Sequence, residues 1–134
     1  MPERLPLTDI AHQGWAPYLH PGAWAIDATS GNGFDTEYLA RALSPGGRVF
    51  AIDIQESAVR ETARRIESAG LLDVVTLIRG NHARMREILA CGIRGQIDLV
   101  CFNLGYLPNG DHDLTTRRET TLPALHEALL LLKP

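Results

Sequence analysis

The sequence is short of several things, and each shortage closes off a class of protein. No apolar run approaches the roughly 18 residues needed to cross a bilayer, and the N-terminal stretch has no apolar core of a signal peptide. Cysteine is scarce: Cys91 and Cys101 fall at a predicted helix end and in a predicted strand, without the spacing of a disulfide framework. They are expected to be reduced, buried thiols. With no leader and no spanning segment, the expectation is a cytoplasmic protein with no membrane partner. Excess charge of one sign is missing too. The net charge of −3 lacks the strongly basic footprint usual for nucleic-acid-binding domains. Lysine is nearly absent, with twelve arginines against one lysine. Arginine's planar fork suits phosphate, but a compositional bias produces the same ratio. Only Arg79, Arg84, Arg86 and Arg94, with Glu87 opposing, form a candidate basic face.

What is present is an ordinary globular balance, 45% hydrophobic and 22% charged, in 134 residues, which is enough for one domain over 1–134 with a single core. Strand and helix signals alternate. "AWAIDAT" (23–29), "RVFAID" (48–53), "VVTLIRG" (74–80) and "QIDLVCFN" (96–103) are short apolar runs expected as strands. Between them, "DTEYLARAL" predicts a helix with Asp35 as N-cap and Tyr38, Leu39, Ala42 and Leu43 buried. The stretch 57–69 predicts a second helix burying Val59, Ala63 and Ile66, ended by Gly70. "ARMREILACG" (83–92) and "TTLPALHEALLLL" (120–132) predict two more, the last capped by Thr120 or Thr121 with Pro123 in its first turn. Strands that are apolar throughout belong to a parallel sheet covered on both faces, so the fold class is α/β, a Rossmann-like doubly wound sheet. Such sheets bind ligands beyond the carboxyl ends of their strands. Polar residues stand at or just beyond the tip of each predicted strand: Thr29, Asp53 with Gln55, Asn81 and Asn103.

After the first strand the chain reads "DATSGNGFD". Gly31 and Gly33 permit a tight turn and a close approach of backbone to ligand at the start of a helix. Asp53 ends the second strand, where a carboxylate can accept both hydroxyls of a ribose; it can equally cap the following helix. A dinucleotide fingerprint requires a third glycine three residues after Gly33, and that position is Thr36. Asp27-x-Thr29-x-Gly31-x-Gly33 instead resembles the acidic glycine-rich turn of S-adenosylmethionine methyltransferases. An anion at Asp27 suits a sulfonium and an ammonium better than a diphosphate; it can also simply bind loop amides. Gln55, Asn81 and His82, after strands two and three, are placed to flank adenine and ribose.

The fourth strand ends in "FNLGYLPNGDHD". In methyltransferases acting on amines of bases, the equivalent strand commonly ends in an Asn or Asp followed, three residues on, by an aromatic ring. Asn103 and Tyr106 keep that offset, Gly105 permits an unusual φ, and Pro108-Asn109-Gly110 makes a turn. Asp111, His112 and Asp113 overhang the same edge. The bland alternative is a strand-closing Asn103 and a core-packed Tyr106.

At "IDATSGNGFDT", "AIDIQ", "FNLGYLPNGDHD" and "TTRRETT" the sequence resembles the small bacterial methyltransferases first labelled putative rRNA methylases. That family is associated with the last step of 5-methylaminomethyl-2-thiouridine formation at the tRNA wobble position. The resemblance runs from about Pro6 to the C-terminus. It implies the class I methyltransferase fold, S-adenosylmethionine as cofactor, and methyl transfer to the primary amine of 5-aminomethyl-2-thiouridine, with the tRNA anticodon region as partner. It carries over Asn32, Asp35, Asp53, Gln55, Asn81 and His82 as cofactor-site positions beside Asp27, Thr29, Gly31 and Gly33. Asn103 to Tyr106 lie by the methyl group, with Leu104 and Gly105 on the cofactor side. Two departures stand out. Phe34 replaces the family's usual histidine. "LLLLKP" ends the sequence where the family continues through a Gly-Gly turn into three more strands. The expected sheet therefore lacks its last three strands, and strand four is expected as a bare apolar edge, one that a homodimer or other partner would cover.

The expected reaction is an in-line displacement at a sulfonium methyl, driven by holding nucleophile and methyl at near-attack geometry. The attacking amine must lose a proton. Asp111 and His112 are the candidates to accept it, while Asn103 and Tyr106 orient the acceptor. Asp111, His112, Asp113 and His82 match no standard metal spacing, so no metal is expected. Other classes stay open: a nicotinamide oxidoreductase, which Thr36 opposes, a non-catalytic nucleoside-binding remnant, and a methyltransferase acting on rRNA or a small amine.

Overall fold

The computed structural model describes residues 7–89, 93, 95–102 and 118–134. In chain order it runs α1 (Leu7–Trp15), a 3-10 turn (Ala16–Tyr18), β1 (Trp24–Asp27), α2 (Phe34–Leu43) and β2 (Arg48–Asp53). It continues with α3 (Glu56–Ser68), β3 (Val75–Arg79), a second 3-10 turn (His82–Arg84), α4 (Met85–Ile88), β4 (Leu99–Cys101) and α5 (Arg118–Leu131). The described strands form one all-parallel sheet in the order β3-β2-β1-β4. This is the expected Rossmann-like doubly wound sheet, and strand order reverses between β1 and β4, where such folds open a ligand crevice.

Alternation within the apolar strands divides the core. Ala25, Val49 and Ala51 pack with Leu39, Ala40 and Leu43 of α2 and Ile66 of α3. The adjacent residues Ile26, Phe50 and Ile52 pack on the opposite face with Met85 of α4, Leu89, and Ala124, Ala128 and Leu131 of α5. Burial on both faces is why these strands carry no polar alternation.

Several boundaries differ from the sequence expectation, for local reasons. Helix α2 starts at Phe34 with Gly33 as its N-cap, so Asp35 lies inside the first turn instead of capping it. The buried stripe of α3 is Ala58, Thr62 and Ile66, with Val59 and Ala63 only half-buried, because α3 turns its Thr62 side toward the loop after β1. The expected helix over 83–92 opens instead as a 3-10 turn, tightened by Asn81, whose Oδ1 accepts the Ala83 N–H at 2.9 Å. Strand β4 is shortened because the Asp98 carboxylate, not a strand carbonyl, accepts the Trp24 N–H. Helix α5 begins at Arg118, so Thr120 and Thr121 fall within it and Pro123 lies beyond its first turn.

Gly33 is packed tightly against α3. Its φ is +87°, and a Cβ there would lie 2.9 Å from Thr62 Cα and 3.2 Å from the Thr62 side chain. Gly70, which ends α3 at φ +72°, has nothing within 4 Å of the same position. Gly70→Ala should therefore cost only the left-handed strain of about 1–2 kcal/mol. Gly33→Ala adds a backbone collision and should cost more, about 3 kcal/mol, by urea denaturation. Equal losses would show that α3 does not clamp the turn.

Candidate active site

Beyond β1 the backbone continues outward for three residues, with Ala28 N–H donating to Cys101 O and Ser30 N–H to Ile52 O, and then turns through Gly31 (φ +55°) and Gly33. Three side chains fasten that turn. Asp53 Oδ2 accepts the Gly31 N–H at 3.0 Å, Thr62 Oγ1 donates to Gly31 O at 3.1 Å, and Arg65 Nε donates to Asn32 O at 3.0 Å. The turn is thus fixed from the tip of β2 and from the face of α3.

Asp27 forms the floor. It is 1% exposed, with Oδ1 accepting the Thr29 N–H at 3.2 Å and Oδ2 accepting the Thr36 hydroxyl at 2.7 Å. Burial pushes its pKa up from the usual 3.8 to about 6, and the nearby Asp35 and Asp53 carboxylates push the same way against those two hydrogen bonds. Keeping this group ionised at neutral pH therefore costs about 3 kcal/mol. Burial likewise raises the thiol pKa of Cys101, a free buried cysteine at the tip of β4 beside Asp27.

The remaining strand tips supply hydrogen-bonding groups. Asp53 is half-buried; besides Gly31 it accepts the Gln55 N–H at 2.9 Å, so the loop-fixing and hydroxyl-binding readings coexist, each oxygen keeping a further lone pair. Gln55, the N-cap residue of α3, is buried. His82 is buried with Nδ1 bonded to Ala28 O at 3.0 Å and its ring edge-on to Phe102 at 5.5 Å. Burial holds its pKa below the usual range, so the ring is neutral, Nδ1–H donates, and Nε2 is an acceptor.

The structure thus gathers Asp27, Thr29, Gly31, Asn32, Gly33, Asp35, Asp53, Gln55, Asn81 and His82 along the carboxyl edge of β1, β2 and β3. Asn103, Leu104, Gly105, Tyr106, Asp111 and His112 lie outside the described residues. The candidate basic face does not survive. Arg79 pairs with Glu56 at 3.6 Å, Arg84 with Glu87 at 2.6 Å and Arg86 with Glu127, while Arg94 lies outside the described residues.

Four contributors escape sequence reading. Ser30 is 5% exposed and its hydroxyl is the one buried side-chain oxygen without a hydrogen-bond partner among the described residues. Arg65 places its guanidinium 3.7 Å from the centroid of the exposed Phe34 ring. His12 of α1 bonds Asp35. Thr62 under Gly33 is the fourth. None occupies a motif position, so only spatial proximity could reveal them.

The donor set discriminates between ligands. Asp35 and Asp53 both lie within electrostatic reach of Asp27, which favours a cationic ligand and opposes a diphosphate. Asp53 retains capacity for a ribose diol, and the orphaned Ser30 hydroxyl offers one more polar contact. These residues fit a positively charged nucleoside.

The family model described as "Putative rRNA methylase" matches residues 49–134. A chloroplastic tRNA (mnm(5)s(2)U34)-methyltransferase of Arabidopsis thaliana is 37% identical over 135 residues, covering 95% of this chain and 48% of the relative. The chain therefore spans about half the length of that relative. Among solved structures, a putative rRNA methylase from Clostridium thermocellum is 39% identical with a TM-score of 0.86, covering 98% of this chain and 68% of the other. A putative methyltransferase from Streptococcus mutans, in complex with SAH, is 32% identical with a TM-score of 0.80, covering 99% and 69%.

The Asp27–Thr36 bond makes a signed pH prediction. The hydroxyl stabilises the ionised carboxylate, so Thr36→Val, which keeps the shape, should raise the Asp27 pKa further. The expected loss of stability is about 1.5–3 kcal/mol at pH 8, where Asp27 is charged, and less at pH 5, where it is protonated. Denaturation curves at the two pH values check this, and a loss independent of pH would contradict it.

Proposed function

The chain belongs to the rRNA methylase family, and on that premise we propose that it is an S-adenosylmethionine-dependent methyltransferase of RNA. Its proposed reaction is N-methylation of the aminomethyl group of 5-aminomethyl-2-thiouridine at the tRNA wobble position, in the cytoplasm. The observation that carries the cofactor reading is the buried Asp27 at the base of the glycine turn, with Asp35 and Asp53 beside it. The substrate reading rests on the name of the Arabidopsis relative and on the Asn103–Tyr106 offset.

When bound, S-adenosylmethionine supplies an electrophilic methyl group on a sulfonium. The chain's residues divide the remaining tasks. Asp53 accepts the ribose hydroxyls, Gln55, Asn81 and His82 border the base, and Asp27 and Asp35 balance the positive charges of the amino-acid end. The neutral His82, with an acceptor at Nε2, can receive an adenine N–H without adding repulsion. On the substrate side, Asn103 orients the amine lone pair and Tyr106 stacks on the base. A free alkylamine, like lysine at about 10.4, is protonated at neutral pH, so a group must take its proton. Asp111 and His112 take that role.

Ionised Asp27 favours a cation, so affinity for S-adenosylmethionine should rise as pH increases through about 6 and level off above it. Asp27→Asn should weaken binding and flatten the profile in that window by calorimetry. The substrate is tested with labelled S-adenosylmethionine and tRNA carrying the free aminomethyl group. Methyl should appear on that nitrogen, and Asn103→Ala should lower the rate at least 100-fold while affinity for S-adenosylhomocysteine stays within threefold. Methylation of ribosomal RNA in preference to that tRNA would replace the tRNA reading, and an unchanged Asn103→Ala rate would remove Asn103 from the chemistry.

A further inference from the structure

Asp35 is not a free carboxylate. His12, from α1, bonds its Oδ1 through Nε2 at 2.9 Å, and both side chains are largely shielded, at 16% and 21% exposure. The imidazole is held in place by stacking on Tyr38 of α2, with ring centroids 3.7 Å apart and planes within 10°, and by Trp15 at 5.1 Å. Tyr38 returns the contact, its hydroxyl donating to His12 O at 3.4 Å. The N-terminal helix is thereby clasped to the first two turns of α2, directly beside the glycine turn. Asp35 Oδ2 has no hydrogen-bond partner among the described residues, and Asp35 is close enough to Asp27 to raise its pKa.

The tips of β2 and β3 carry the groups suited to ribose and base, which leaves the region of Asp27 and Asp35 for the cationic end of the ligand. We propose that His12 is a positioning residue: by engaging Oδ1 of Asp35 it aims Oδ2 at the ammonium group of the bound adenosyl ligand. A flexible surface carboxylate would lose rotamer freedom on binding such a group; the clasp has already fixed it. The stacking partner Tyr38 fixes the histidine in turn. This inference rests on the cofactor reading above.

Two substitutions separate aiming from packing. His12→Phe keeps a ring to stack on Tyr38 and removes the donor. His12→Gln keeps an N–H donor at similar reach and removes the ring. S-adenosylhomocysteine, which carries the ammonium, should bind His12→Phe about tenfold more weakly by calorimetry and His12→Gln within threefold of the unaltered chain. Adenosine, which lacks the ammonium, should bind all three alike. Asp35→Asn should abolish the difference between His12 and His12→Phe. If His12→Phe binds S-adenosylhomocysteine normally while His12→Gln does not, the ring serves packing alone and the inference fails. A parallel loss for adenosine also overturns it, because the effect then lies outside the amino-acid end. Failure of the unaltered chain to bind S-adenosylhomocysteine would instead remove the cofactor reading itself.

Discussion

A buried carboxylate organises this molecule. Asp27 sits at the end of a strand that is otherwise alanine, isoleucine and tryptophan, and it is nearly closed to water. The Thr29 N–H and the Thr36 hydroxyl donate to it, and the Cys101 thiol lies beside it. An isolated charge in such a place is expensive, and two more carboxylates nearby make it more so. Folding alone would favour an apolar residue there. The features around it follow from keeping the charge: Thr36 stands where a dinucleotide site would have glycine, and the main chain turns sharply to present an amide at Thr29.

The turn itself is held from outside. Its two glycines have positive φ, its Gly31 carbonyl and amide are bonded to Thr62 and Asp53, and its Asn32 carbonyl is bonded to Arg65. Thr62 does two things at once, donating to the turn and lying against Gly33 where no other residue fits. Helix α3 is therefore a brace for the glycine turn as much as a cover for the sheet. This double duty explains why its inward stripe runs through Ala58, Thr62 and Ile66: small or polar groups are needed at the loop end, while a large apolar one fills the core at the other.

That stripe also marks where sequence reading stops working. Hydrophobic periodicity placed α3 almost to the residue but chose Val59 and Ala63 over Ala58 and Thr62, because an inward threonine has no apolar signature. Strand β2 was legible from Arg48 to Asp53, since burial on both faces leaves an uninterrupted apolar run. Helix α4 was legible only in part: the helix expected over 83–92 is present at Met85–Ile88, but Asn81 draws its first turn into 3-10 geometry. The convergence of the glycine turn with the tips of β2 and β3 was readable because strand-tip placement and glycine spacing are local patterns. His12, Ser30 and Arg65 were not, because their roles depend on contacts across the fold. The arginine cluster failed for a related reason: two of its balancing carboxylates, Glu56 and Glu127, lie far away in sequence.

The departure from a dinucleotide site is a matter of charge as well as of space. In such sites a third glycine lets the helix approach the strand and its N-terminus meet a pyrophosphate. Here Gly33 already permits the close approach, against α3, and Thr36 is free to bond Asp27. The helix N-terminus, attractive to anions, then stands beside carboxylates that are attractive to cations. A zwitterionic amino-acid end with a neighbouring sulfonium would suit both: its carboxylate would be drawn to the helix amides and its positive groups to Asp27 and Asp35. A diphosphate satisfies only the first and is repelled by the second. Thr36, standing where a dinucleotide site has glycine, donates to Asp27 and so helps to keep a negative charge beneath the loop, which a diphosphate would oppose.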